Sequence, residues 1–170
     1  MKIFIRMVFP AAGIALGVWL WMTLYPSPEH AVRGQLARLA RRISFSADEG
    51  TFSRLAGAEG VSGLFSTNVE VNVDIPGHEQ HRFAGRDEIT QAALLSRKMA
   101  ESLSVRFPDI DVKVAPEKTT ATADVTVEAR IGGENDPAFQ ELKISFQKTE
   151  EGWLINRVET VRTISLPVSK

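Results

Sequence analysis

Residues 105–164 read VRFPDIDVKVAPEKTTATADVTVEARIGGENDPAFQELKISFQKTEEGWLINRVETVRTI, and this stretch decides the fold. Ile110, Val112 and Val114 alternate with Asp111 and Lys113. Ala121, Ala123, Val125, Val127, Ala129 and Ile131 alternate with Thr122, Asp124, Thr126, Glu128 and Arg130. Leu142, Ile144 and Phe146 alternate with Lys143 and Ser145, and Trp153 opens a fourth run. A period of two belongs to a sheet covered on one face only. With a symmetric loop at Pro116–Thr119, Ile110 faces Val125, Val112 faces Ala123 and Val114 faces Ala121, so both strands agree on which face is apolar. In the last run Trp153 and Ile155 share a face but the next apolar residue is Val158, which predicts a bulge near Asn156–Arg157 and a bent sheet.

Working outward, the segment preceding these strands predicts a long helix from about Arg86 to Leu103. Its buried stripe is Ile89, Ala92, Ala93, Ser96, Met99, Ala100 and Leu103, with Leu94 on the polar side. Small residues on that stripe let the helix lie close to the sheet or leave a hollow beneath it. Further upstream, Val69, Val71, Val73 and Ile75 alternate with Glu70, Asn72 and Asp74, ending at Pro76-Gly77, with a short return strand at Arg82-Phe83. Thr51–Ala58 reads as helical turns in a glycine-containing segment. Ser27 can cap a helix whose first position is Pro28. On that helix Val32, Leu36, Leu39 and Ile43 form one stripe, and Arg33, Arg38, Arg41 and Arg42 take the opposite half. Those arginines suit either anionic lipid headgroups or plain solvent, and solvent is the simpler reading. The class is α+β.

Residues 7–25, MVFPAAGIALGVWLWMTLY, carry no charge over 19 positions, roughly 28 Å as a helix and enough to cross a bilayer core. Lys2 and Arg6 precede the stretch, and Trp19, Trp21 and Tyr25 sit at its far end as a membrane-interface belt. No small residues stand where a signal peptidase needs them, so an uncleaved anchor is expected rather than a cleaved leader. This divides the chain into an anchor at 1–26, a juxtamembrane linker at 27–31, a domain at 32–166 and a tail at 167–170. The anchor predicts a single-pass protein of the cytoplasmic membrane, its lipid contact through Met7–Tyr25 and its domain on the outer, periplasmic side.

Twenty Lys and Arg against 21 Asp and Glu give a net charge of −1, which leaves no field for holding nucleic acid. The chain contains no cysteine, which excludes disulfides, thiolate metal sites and cysteine nucleophiles.

Three segments carry a family resemblance: Phe65-Ser66-Thr67-Asn68-Val69-Glu70-Val71, then Phe83-Ala84-Gly85-Arg86-Asp87-Glu88-Ile89, and lastly Glu141–Phe146 with Glu151–Ile155. Together with the order of elements, they resemble the nuclear transport factor 2-like (SnoaL-like, cystatin-like cone) family, and within it bacterial members with an N-terminal anchor. The resemblance implies a cone, in which N-terminal helices and one long helix pack on a curved, mainly antiparallel sheet. It is nearly silent on function, because this fold hosts enzymes, binders and scaffolds alike.

In ketosteroid isomerase-like and polyketide cyclase-like relatives, Tyr, Asp or His residues line the hollow between sheet and long helix. Here the only tyrosine is Tyr25 in the anchor, and the apolar-face positions carry no Asp, Glu or His, so no catalytic residue, cofactor or metal ligand is assigned. His78 and His81 with Asp74 make a poor zinc template on a hairpin. Asp111 opposite Asp124 could share a proton, but Lys113 and Lys118 stand close and the face is polar. The pocket-lining candidates are Phe65, Phe83, Met99, Val127, Phe146 and Trp153, with Phe107 a further aromatic near them. The leading reading is a tethered, non-enzymatic interaction or assembly module, with a protein partner or a second copy on the sheet. The alternative is a small apolar ligand carrier, or a hydratase/isomerase-like enzyme in the cone. A closed core packed by Met99, Phe146 and Trp153 favours the first, and an open hollow holding an inward carboxylate or His81 favours an enzyme. Added protease should digest the domain on intact spheroplasts; full protection would overturn the outward orientation.

Overall fold

The computed structural model describes residues 27–74, 81–132 and 136–164. Helix α1 (Pro28–Ile43) starts where the capping signals place it, the Ser27 hydroxyl accepting from the His30 backbone N–H at 3.2 Å. The stretch 28–31, expected as linker, is its first turn. Val32, Leu36 and Leu39 are buried, whereas Arg33, Arg38, Arg41 and Arg42 face outward. Helix α2 (Thr51–Ser62) is longer than the turns expected from its sequence and turns Ala58 and Val61 inward.

Strand β1 (Phe65–Val73) pairs antiparallel with β2 (His81–Ala84), setting Val71 against Phe83. The turn signals at Ile75–Gly77 lie outside the described residues. β2 passes into helix α3 (Gly85–Met99) with no loop between. Such a junction needs a left-handed residue: Gly85 has φ +82°, a conformation a side chain would strain. The Glu88 carboxylate accepts from the Ala84 backbone N–H at 2.7 Å, satisfying a donor at the helix start.

The α3 boundary corrects the sequence reading: the helix stops at Met99, not at Leu103. Leu103 N–H donates to the Phe45 carbonyl at 3.0 Å and Phe45 N–H to the Leu103 carbonyl at 2.8 Å, an extended bridge that holds Leu103 out of any helix. Strand β3 (Leu103–Val114) begins there, followed by β4 (Thr120–Ile131), β5 (Ala138–Thr149) and β6 (Gly152–Ile164). The β3–β4 register is the expected one, Ile110–Val125, Val112–Ala123 and Val114–Ala121. The sheet runs β2-β1-β6-β5-β4-β3, antiparallel except where β1 meets β6.

Irregular pairing bends this sheet. The β5–β6 register shifts between Ser145–Arg157 and Phe146–Ile155, which leaves Asn156 as the extra residue, at the predicted bulge. A second shift skips Val161. On edge strand β3 the register shifts between Arg106 and Asp109, around Pro108, which has no N–H to give to a ladder.

The filled part of the core lies under α1, where Val32, Leu36, Phe146 and Ile155 are almost wholly shielded from solvent. Ile155→Ala should therefore cost about 2–5 kcal/mol of stability in urea unfolding. Met99→Ala, at a side chain 78% exposed, should move it by less than about 0.5 kcal/mol. Equal effects would contradict this placement of the core.

Candidate functional site

Between α3 and the inner face of the sheet lies a cavity of about 330 Å³. Its floor comes from every strand: Phe65, Val71 and Val73 of β1, Phe83 of β2, Val105 and Phe107 of β3, Val127 of β4, Leu142 and Ile144 of β5, and Val158 of β6. Its roof is Ile89, Ala92, Ala93, Ser96 and Arg97 of α3, with Leu39, Ile43 and Val61 closing the side. The bent sheet falls away from α3, and alanines at 92 and 93 are too short to fill the gap.

Of the expected pocket residues, Phe65, Phe83 and Val127 do line this cavity, as does Phe107. Three do not. Met99 points into solvent because the helix ends there. Phe146 shares a face with Leu142 and Ile144 but sits one step further along β5, where α1 fills the core. Trp153 is buried at the start of β6 in the same packed end. Leu94, expected on the polar side, is half-buried, and Leu95 is the exposed leucine of this helix.

The residue that sequence reasoning missed is Arg97, 3% exposed and, among the described residues, the one charged residue lining the cavity. Its Nη2 donates to the Arg42 carbonyl at 2.6 Å, a free acceptor at the end of α1, and its Nη1 donates to the Ala93 carbonyl at 3.4 Å. The guanidinium lies 5.1 Å over the Phe45 ring, a cation–π arrangement. Glu49 Oε2 stands 3.8 Å from Nε, too far for a hydrogen bond, and both atoms are buried without a hydrogen-bond partner. Burial pushes the guanidinium below its ordinary pKa, and the attraction of Glu49 only partly opposes this. Its position was readable: Ile89, Ala93 and Arg97 are spaced i, i+4, i+8 on one helix ridge. The partner loop at Glu49 and Phe45 was not.

Among the described residues no carboxylate or imidazole lines the cavity. His81 stacks on Phe83 with ring centroids 6.2 Å apart, and His78 lies outside the described residues. Among the described residues no three His, Asp or Glu side chains gather as metal ligands. Asp111 and Asp124 are opposed on the outer face, as the register requires, and Lys113 Nζ bridges them at 3.0 and 3.5 Å. Its hydrogen bond to Asp111, then the charge of that residue and of Asp124, raise the Lys113 pKa. Both carboxylates lie open to water on that face, with one ammonium between them.

A larger groove of about 750 Å³ lies on the outer face between β1, β5 and β6. Its cations are already paired, Arg157 with Glu70 at 3.0 Å and Arg86 with Glu151 at 3.9 Å, with the acids well exposed. Exposed, matched pairs hold little in reserve for a ligand.

Arg97 also rests on α2: a methyl group added to Gly57 would come within 2.9 Å of its Nη2 and 3.1 Å of its Nε. A helical Gly→Ala change ordinarily stabilises by about 0.5–1 kcal/mol. Here Gly57→Ala should instead destabilise by about 1–2 kcal/mol through overpacking. In an Arg97→Met background the ordinary gain should return. Urea unfolding of the four proteins checks this, and identical effects in both backgrounds would show that Arg97 is not pinned.

No protein-family profile matches the sequence, and no curated protein matches it. Solved structures do. A domain of unknown function from Nostoc punctiforme with a cystatin-like fold superposes with a TM-score of 0.62 at 17% identity, covering 84% of this chain and 81% of that one. A nuclear transport factor 2-like protein from Pseudomonas putida gives 0.62 at 11% identity, over 86% and 94% of the two chains. A candidate scytalone dehydratase from Novosphingobium aromaticivorans gives 0.57 at 18%, over 82% and 88%. The chain has the cystatin-like, nuclear transport factor 2-like fold.

Proposed function

We propose that this chain is a membrane-tethered binding module whose cone holds a small, mainly apolar molecule without transforming it. The observation that carries this reading is the 330 Å³ cavity, apolar over nearly all its wall and, among the described residues, bare of acids and imidazoles. That volume falls at the lower end of the range of small-molecule sites. A dehydratase or isomerase needs a group that gives or takes a proton at the substrate, and an arginine, which stays protonated, is a poor candidate. The dehydratase named among the structural neighbours is therefore a guide to where a ligand sits, not to a reaction.

The tether is part of the same proposal. It rests on the uncharged stretch 7–25 with Trp19, Trp21 and Tyr25 at its end, all outside the described residues. Among the described residues no helix is long and apolar enough to cross a membrane. The domain would stand on the outer side of the cytoplasmic membrane.

A second reading, protein interaction, is favoured by a separate observation. Phe52 and Leu55 of α2 are 91% and 47% exposed, and Leu95 and Met99 of α3 are exposed as well. Phe52 and Leu55 line a surface pocket together with Leu94 of α3, and clustered apolar side chains of this kind mark interaction surfaces. A partner protein or a second copy, on this patch or on the outer sheet face, is compatible with a filled cavity.

Titration with a small apolar fluorescent probe such as 1-naphthol, which has eleven heavy atoms, tests the leading reading. The wild-type chain should enhance its emission saturably, and Ala93→Phe, which fills the cavity from α3, should lower affinity at least tenfold while keeping the circular dichroism spectrum. Unchanged binding in the folded Ala93→Phe protein would overturn the assignment of the cavity as the binding site.

A further inference from the structure

Helix α1 carries positive charge that the fold does not pair. Arg38, Arg41 and Arg42 are exposed, and among the described residues none of them makes an ion pair. On the outer sheet face, by contrast, Arg106, Lys113, Arg130 and Arg157 each sit against a carboxylate. Arg38 and Arg42 share one ridge of α1 at i, i+4 with Arg41 beside it, opposite the buried Val32, Leu36 and Leu39. That ridge runs on into α2. A methyl group added to Gly60 would come within 2.8 Å of Arg42 Nη1, so the guanidinium lies on α2 there. Phe52, Ala56 and Gly60 are spaced i, i+4, i+8 on the ridge turned away from the buried Ala58 and Val61. One surface therefore has three arginines at one end and Phe52, 91% exposed, at the other, about 12 Å along α2 from Gly60. Glu59, the single acid of α2, does not balance them.

We propose that the domain lies down on the bilayer that holds its tether, with Arg38, Arg41 and Arg42 among anionic lipid headgroups and the Phe52 ring at the acyl boundary. This rests on the tether of the reading above and goes beyond it by assigning the face that meets the lipid. Cations beside a protruding aromatic suit that boundary, the charges reaching lipid phosphates and the ring the acyl chains. The chain also brings the surface close. Tyr25 ends the uncharged stretch and Ser27 caps α1, two residues that span no more than about 7 Å. Helix α1 has 16 residues, about 24 Å, so its arginines stay near the membrane in any orientation and meet it when the helix lies flat.

The chain has no cysteine, so Ala56→Cys and Lys143→Cys each take a single nitrobenzoxadiazole label, the first on the proposed face and the second on the outer face of the sheet. The full chain with either label is reconstituted into vesicles of phosphatidylcholine and phosphatidylglycerol, two to one, containing nitroxide lipids as quencher. The label at Ala56→Cys should be quenched at least threefold more than the label at Lys143→Cys. That excess should fall by at least half in phosphatidylcholine alone, and in folded Arg38→Gln/Arg41→Gln/Arg42→Gln and Phe52→Ser variants. Equal quenching at both positions in chain that floats with the vesicles, or an excess indifferent to phosphatidylglycerol, would overturn the assigned face and leave the tether standing. Shielding at Ala56→Cys that nitroxide lipids do not quench and that grows with protein density would give the face to a second copy, and overturn the proposal likewise. Failure of the unlabelled chain to float would overturn both readings. Should a variant fail to fold, the two lipid compositions decide.

Discussion

A bent sheet facing a helix of short side chains is the constraint on which the rest of this structure depends. The extra residues at Asn156 and Val161 on β6 and the irregularity at Pro108 on β3 interrupt regular pairing and increase local twist, which carries the inner face away from α3. Leucines or phenylalanines on the roof would close that gap. Ala92, Ala93 and Ser96 do not, so one half of the core is filled by α1 and the other half stays hollow. The hollow follows from the chain, since interiors with larger side chains pack to crystal-like density.

Much of the sheet was legible beforehand because a half-buried strand must alternate. Ile110, Val112 and Val114 could not slip by one residue against β4 without turning an apolar set to water, a symmetric loop at Pro116–Thr119 chose among the registers left, and the break of period between Ile155 and Val158 marked the bulge. The end of α3 was not legible. Met99, Ala100 and Leu103 continue a helical stripe on paper, and what stops the helix is a pair of hydrogen bonds to Phe45, 58 positions from Leu103 in the chain, which no local pattern announces. The same error put Met99 in the pocket. Trp153 and Phe146 were correctly placed on the apolar face, but periodicity carries no information about which end of that face a second helix fills.

Arg97 was passed over for a related reason. Beside Lys98 it looks like the solvated side of a helix, and charged residues are rarely buried without partners. Its partners come from the Arg42 carbonyl, the Phe45 ring, Glu49 and the bare face of α2 at Gly57, four positions that only the tertiary structure assembles. The expectation of a wholly apolar lining is corrected by this one buried arginine.

The account stands or falls on the space itself, before any ligand is identified. Crystals of the domain pressurised with xenon test it most directly, since a dry apolar cavity takes up that atom whatever the natural ligand is. The account predicts xenon density between Ala93 of α3 and Val127 of β4. A xenon-free map in which Phe83 and Phe107 have swung in to close the gap would contradict it.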